Sequence, residues 1–201
     1  MKKITHIIFD LSEVLVSGLV GIEEEISSLT GVPQDQILRK FGGNNLILLC
    51  KNKMTENEYL NRLIKRENWS CSKKQLATII RNNFHHIFDC MDDLIVKLSE
   101  EYTCILLSDH AREWIEYIEE YHEFLKMFKY RLYSFMTGHI KDEEHNFQKI
   151  LNDLHINAQN CIFIDDSESN ISTAKKCGIH SILFQGHEKL VSDLARLGIH
   201  P

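Results

Sequence analysis

The chain has 201 residues, 43% of them hydrophobic, and a formal net charge of -6, a size that suits one globular domain with a modest insertion or two small domains sharing a core. The acidic balance speaks against a general nucleic-acid or anionic-membrane surface, which calls for clustered basic residues, and no window approaches the roughly 20 apolar residues that span a bilayer. Met1-Lys2-Lys3 before an apolar run resembles a secretion signal, but His6, Asp10 and Glu13 interrupt it; the six cysteines form no C-x-x-C pair, so a reduced, cytoplasmic protein is expected.

In chain order, residues 4–10 form a first strand whose apolar run Ile7-Ile8-Phe9 stops at Asp10. A break at Ser17-Gly18 follows, and the sequence is then helical in pattern to about residue 88. Leu29-Thr30-Gly31-Val32-Pro33 reads as a helix stop and a new start, and Thr55-Glu56-Asn57-Glu58 as a capping box. Ser72 to Phe88 is a further helix with Leu76, Ile79, Ile80, Phe84 and Ile87 on its apolar side, and it carries the pair His85-His86.

Beyond Asp89 helices and short strands alternate. Helices are expected over Asp92–Glu101, Glu113–Tyr121, Phe147–Leu154 and Ser169–Cys177, the last stopped by Gly178, and from about Glu188. Strands are expected over Cys104–Leu107, Leu132–Phe135, Cys161–Ile164 and Ser181–Phe184. Such alternation implies α/β architecture: a doubly wound parallel sheet with right-handed crossovers. Residues 1–16 and 89–201 then form the core, interrupted by an α-helical insert over 17–88.

Asp10 and the pair Asp165-Asp166 each end a buried apolar strand. An ionised carboxylate is tolerated there only where the strand emerges into a solvated or metal-bearing crevice. Hard cations such as magnesium are held by one or two carboxylates plus substrate phosphate, so phosphoryl chemistry is indicated.

Four segments carry chemistry in order: apolar strand then Asp10; Ile105-Leu106-Leu107 then Ser108; an S-x-x-x-G-x-x-K frame from Ser134 to Lys141; and apolar strand then Asp165-Asp166-Ser167 with Asn170. Together they resemble the haloacid dehalogenase-like hydrolase superfamily, in particular its phosphatase-like members with a helical cap after the first strand. The resemblance covers Ile7 to Phe184. It implies that Asp10 is the nucleophile, forming an aspartyl-phosphate, and that Mg2+ is held by Asp10, Asp165 and the backbone carbonyl of Ser12. Asp166 joins through water or orients the ligands, while Asn170 ties the loop or touches ligand. Ser108 and the amide of Asp109 would bind phosphate oxygens, with Lys141 neutralising charge on the phosphoryl group and on Asp10.

The chain departs from its family at Asp10-Leu11-Ser12-Glu13, where Asp-x-Asp-Gly is usual. Ser12 cannot act as the acid/base that the second aspartate provides, a loss commonly worth about 10² to 10⁴ in rate. Three outcomes stay open: a phosphatase for substrates whose leaving group needs little protonation, a proton supplied by Glu13 or His110, or a silent protein that binds a phosphorylated ligand or a partner. Asp142 replaces a common proline after Lys141, and Asp109 a common asparagine, making the site more negative. The expectation is a weak or selective magnesium-dependent phosphatase of a small phosphorylated metabolite, monomeric or homodimeric. The insert would close over the site on hinges near Ser17-Gly18 and Asp89, with Asn44, Asn45, Lys51 and Lys53 as candidate specificity residues.

Overall fold

The computed structural model describes residues 3–88 and 90–200. Asp89, expected as the second hinge and as the first residue of the returning core, lies outside them, as do Met1, Lys2 and Pro201. Strands β1 (His6–Phe9), β2 (Thr103–Ser108), β3 (Tyr130–Tyr133), β4 (Cys161–Asp165) and β5 (His180–Leu183) form one parallel sheet in the order β3-β2-β1-β4-β5. Parallel neighbours need long crossovers. These are supplied by α6 (Cys90–Glu101), α7 (Arg112–Tyr121), the single turn α8 (Ser134–Thr137), α9 (His145–Asp153) and α10 (Glu168–Lys176), and α11 (His187–Arg196) follows β5.

Successive strand residues point to opposite faces, and the sheet is covered on both. Ile7 and Phe9 join one apolar cluster with Leu106, Ile162 and Ile164, whereas Ile8 joins another with Ile105, Leu107 and Phe163. Burial on both sides is why these strands read as unbroken apolar runs rather than alternating ones.

Between β1 and α6 lie α1 (Glu23–Thr30), α2 (Gln34–Phe41), α3 (Asn44–Cys50), α4 (Glu56–Glu67) and α5 (Lys73–Asn83). Gly31 ends α1 in the left-handed region at φ 75°, its N–H donating to the Ser27 carbonyl, and Pro33 precedes α2. Both Thr55 with Glu58 and Ser72 with Gln75 close reciprocal capping boxes. Thr55→Ala and Ser72→Ala are each expected to lower unfolding free energy by about 1 kcal/mol. Urea titration checks this, and an unchanged midpoint would show that tertiary packing alone sets those helix starts.

Two expected elements end elsewhere. The helix expected over Ser72 to Phe88 stops at Asn83, because the segment beyond it pairs with residues 15–17. Ser17 N–H donates to the His85 carbonyl at 2.8 Å, Ile87 N–H to the Leu15 carbonyl at 3.3 Å, and Val16 bridges His86. His85 and His86 therefore lie in an extended neck, not on a helix. The strand expected over Leu132 to Phe135 occupies Tyr130–Tyr133 instead, since its register with β2 closes at Ser108 opposite Tyr133 and the chain then turns into α8.

Candidate active site

After β1 the chain builds the sheet to one side through β2 and β3, then crosses back to add β4 and β5 on the other. The strand order thus reverses between β1 and β4, where open α/β sheets form a crevice beyond the carboxyl ends of their strands. Phe9 pairs with Ile164, and Asp10 N–H donates to the Ile164 carbonyl at 2.9 Å. Asp10 and Asp165 are consequently neighbours. One carboxylate oxygen from each of Asp10, Asp165 and Asp166 lies within 4.8 Å of the others.

Lys141 is drawn into this cluster with only 2% of its surface exposed. Its Nζ lies 2.6 Å from Asp10 Oδ1 and 2.7 Å from Asp165 Oδ2. Burial opposes the charge on Lys141, yet Asp10, Asp165 and Asp109 together hold its pKa above the ordinary value. Burial pushes the Asp10 carboxyl well above the usual range; Lys141 pulls it back, and Asp165 and Asp166 push it up again. Two buried carboxylates share one ammonium and a third, Asp166, lies beside them, which leaves negative charge that a hard divalent cation matches through oxygen donors. The residues present fit magnesium on that ground.

Asp165 is held from behind. Its Oδ1 accepts from Ser167 N–H at 2.8 Å, and Asn170 Nδ2 donates to both of its oxygens at 3.1 Å. Asp10 Oδ1 accepts from Leu11 N–H at 2.6 Å. Ser108 ends β2 fully buried, and its hydroxyl has no partner among the described residues. Asp109, pushed up to about 6 by burial against the pull of Lys141, accepts from the Lys141 backbone N–H at 2.9 and 3.1 Å. Its carboxylate thus anchors the loop that delivers the lysine. Ser134, the first residue of the S-x-x-x-G-x-x-K frame, accepts from His110 N–H at 3.0 Å and donates to the Cys50 carbonyl at 2.8 Å, joining core to insert. Beside Lys141, the Asp142 carbonyl accepts from the Thr173 hydroxyl at 3.3 Å.

Glu13 sits at φ 60° and its Oε1 accepts from Gly18 N–H at 2.9 Å and Val20 N–H at 3.2 Å. A Cβ at Gly18 would fall 2.8 Å from that oxygen, so glycine is what permits the approach. His110 is packed edge-on to Phe84 and Trp114, with ring centroids at 5.5 and 5.6 Å. Burial, with Lys141 adding to it, pushes its pKa down to about 3. The ring is uncharged at neutral pH.

Beside Ser12 and Asp109 a cavity of about 190 Å³ opens between His110, Leu46, Phe84 and Trp114. None of Asn44, Asn45, Lys51 and Lys53 lines it, although α3 contributes Leu46. Lys51 instead forms an ion pair with Glu143, close to the Lys141 loop. A larger groove of about 700 Å³ between α1 and α5 passes Glu24, Gln75 and Ile79 and holds none of these residues.

A parallel α/β sheet that gathers strand-ending carboxylates and a buried lysine at its point of reversal defines a hydrolase-like scaffold. The chain belongs to the haloacid dehalogenase-like hydrolase family, whose profile matches residues 7–184. It is 22% identical to flavin mononucleotide hydrolase 1 of Arabidopsis thaliana, over 99% of this chain and 80% of that protein. A HAD family enzyme of Bacteroides thetaiotaomicron in complex with magnesium superposes with a TM-score of 0.81 at 24% identity, covering 97% of this chain and 100% of the other. The same enzyme with magnesium and inorganic phosphate gives 0.77 at 22%, covering 93% and 98%. A predicted HAD-like hydrolase of Porphyromonas gingivalis gives 0.79 at 20%, covering 98% and 99%.

Proposed function

We propose that the chain is a magnesium-dependent phosphohydrolase of a small phosphorylated metabolite, working through an aspartyl-phosphate. The observation that carries this is the cluster of Asp10, Asp165 and Asp166 at the strand-order reversal, with Lys141 bridging the first two. The flavin mononucleotide hydrolase relative supports a phosphate ester as substrate. The magnesium and phosphate held by a structural neighbour support the cofactor.

Asp10 Oδ1 takes the bonds from Leu11 and Lys141, which leaves Oδ2 to attack phosphorus. The bond from phosphorus to the leaving oxygen breaks as the Asp10 acyl phosphate forms, the leaving group departing with the bonding electron pair, and water then attacks phosphorus, releasing inorganic phosphate and restoring the carboxylate. Ser108 Oγ, which lacks a partner among the described residues, donates to a phosphoryl oxygen together with the Asp109 amide. Lys141 stabilises the charge that develops there. Asp10, Asp165 and the Ser12 carbonyl would hold magnesium, with Asp166 assisting; the bound ion neutralises phosphoryl charge. Asn170 and the Ser167 amide keep Asp165 oriented.

Residues 17–88 act as a cap over this site, in a closed arrangement. Ser17 and Gly18, where the neck begins, serve as hinge residues. Six free thiols fit a reducing compartment, and we place the protein in the cytoplasm.

Ser12 provides no acid/base group, Glu13 is committed to loop amides, and His110 is an uncharged ring in an aromatic cluster. Substrates with good leaving groups are therefore favoured over alkyl phosphates. Ser12→Asp is expected to raise turnover of an alkyl phosphate by about tenfold or more while changing acetyl phosphate far less. Equal effects on both would remove Ser12 from the proton-transfer argument. The same missing acid/base favours a second reading, a silent protein that binds a phosphorylated ligand. Phosphate release from a panel of esters and acetyl phosphate, with magnesium and again with excess chelator, decides between them. Magnesium-dependent release supports the enzyme, and magnesium-dependent binding without release supports the silent protein.

A further inference from the structure

We infer that the cavity beside Ser12 and Asp109 restricts this chain to phosphate and acyl-phosphate esters with a compact, uncharged leaving group, and that flavin-sized esters are rejected. This rests on the phosphohydrolase reading above and goes further by setting the size and charge of the substrate.

Size comes first. The cavity measures about 190 Å³, below the roughly 300–1,000 Å³ of pockets that enclose drug-sized ligands and equivalent to about six water molecules of liquid volume. A benzene ring or a short acyl chain fits that room. The tricyclic ring and ribityl chain of flavin mononucleotide carry several times as many heavy atoms. The relative that hydrolyses flavin mononucleotide is thus a poor guide to this chain's substrate, although the two share a fold.

The walls are also fixed. Trp114 Nε1 donates to Glu56 Oε1 at 2.7 Å, and Arg81 grips both oxygens of Glu56 at 2.7 Å. Glu56 N–H in turn donates to Glu113 Oε1 at 3.0 Å, so α4, α5 and α7 are tied around the indole. Phe84 lies against both His110 and Trp114. Enlarging the cavity on its Trp114 side means breaking this charged network, which leaves Leu46 on the insert as the wall a single substitution can open.

Charge supplies the second filter. Among the described residues no lysine or arginine lines the cavity, and Asp109 does. A second anionic group on the substrate would be buried without a partner, which is costly. Among the polar residues that line it is His110, whose buried Nδ1 has no hydrogen-bond partner among the described residues.

The test compares kcat/KM of the magnesium-loaded full chain for phenyl phosphate, acetyl phosphate and flavin mononucleotide. Phenyl phosphate is expected to exceed flavin mononucleotide by at least about tenfold. Leu46→Gly, at a half-buried wall position, is expected to narrow that ratio by raising the flavin value. Binding of the same two esters to the Asp10→Asn chain with magnesium, followed by calorimetry, reads the cavity without turnover. Flavin mononucleotide turned over or bound as well as phenyl phosphate overturns the inference and leaves the phosphohydrolase reading standing. Absence of turnover for every ester defeats that reading, and the calorimetric preference for phenyl phosphate then still decides whether the cavity selects by size.

Discussion

Asp10→Asn is expected to lower kcat for every phosphate ester by on the order of 10⁴-fold or more, the scale on which removal of a catalytic nucleophile acts. The amide has nearly the same shape, so Leu11 N–H and Lys141 keep an oxygen to bond, yet the neutral group does not attack phosphorus. Loss of activity by misfolding is separable from this. Burial pushes the Asp10 carboxyl well above its usual range, with Asp165 and Asp166 outweighing part of the pull from Lys141. A group whose folded pKa is raised leaves the native state holding more protons than the unfolded chain, and stability falls as pH rises between the two values. Without metal Asp10 therefore contributes less to the fold at neutral pH than in acid, and the asparagine variant should unfold at the same temperature as the parent or higher. The midpoint gain on adding magnesium should shrink in the variant, since the ion loses a ligand. Phosphate-release assays and thermal unfolding check both halves. Turnover within about tenfold of the parent would remove Asp10 as nucleophile, because the loss of a nucleophile costs far more than that.

The carboxylates were legible in the sequence because a parallel strand buried on both faces is an apolar run, and an acid that ends one marks where the sheet meets its crevice. Asp10 and Asp165 follow from that rule, as does the α/β architecture, whereas Ser108 is marked only by its place among the four motifs. Lys141 was legible only through the frame it shares with Ser134 and Gly138, since nothing local distinguishes a lysine that ends up 2% exposed from a solvated one. The neck was not legible. The apolar spacing of Leu76, Ile79, Ile80, Phe84 and Ile87 continues a helix past Asn83, and only the pairing of residues 85–87 with 15–17, about 70 residues away in the chain, ends it. Long-range pairing of that kind overrides a local period. The polar residues expected to set specificity, Asn44, Asn45, Lys51 and Lys53, do not line the cavity beside Ser12 and Asp109, which Leu46 and Phe84 do; nothing in the apolar spacing of the insert marks which of its hydrophobic residues face that cavity. Asp109 looked like surplus negative charge near the phosphate; its use as the acceptor for the Lys141 backbone N–H depends on a turn that brings residues 32 positions apart into contact.

Lys141→Met should reduce unfolding free energy without magnesium by about 3–5 kcal/mol, the range for removing one partner of a buried ion pair and stranding the other. Methionine keeps most of the volume and the apolar stem, so packing loss is small and the charge dominates. Lys141 has a folded pKa above its ordinary value. Its stabilising contribution is thus fully present below the unfolded lysine pKa, and is lost only as pH rises through the folded one, well outside the neutral range. Without the ammonium, Asp10 and Asp109, already raised by burial, rise further and bind protons as pH falls. Protonation removes the stranded charge, so the deficit should be largest near pH 8 and shrink toward pH 5. Magnesium supplies the missing positive charge by another route: at about 100 times its Kd it should return about 2.7 kcal/mol, more in the variant than in the parent if its affinity rises with the uncompensated charge. Denaturant unfolding at two pH values, with and without magnesium, separates these terms. A deficit below about 1 kcal/mol that does not change with pH would mean the carboxylates are already neutral in the metal-free protein, and the view of Lys141 as the resident counter-charge of a cation site would be wrong.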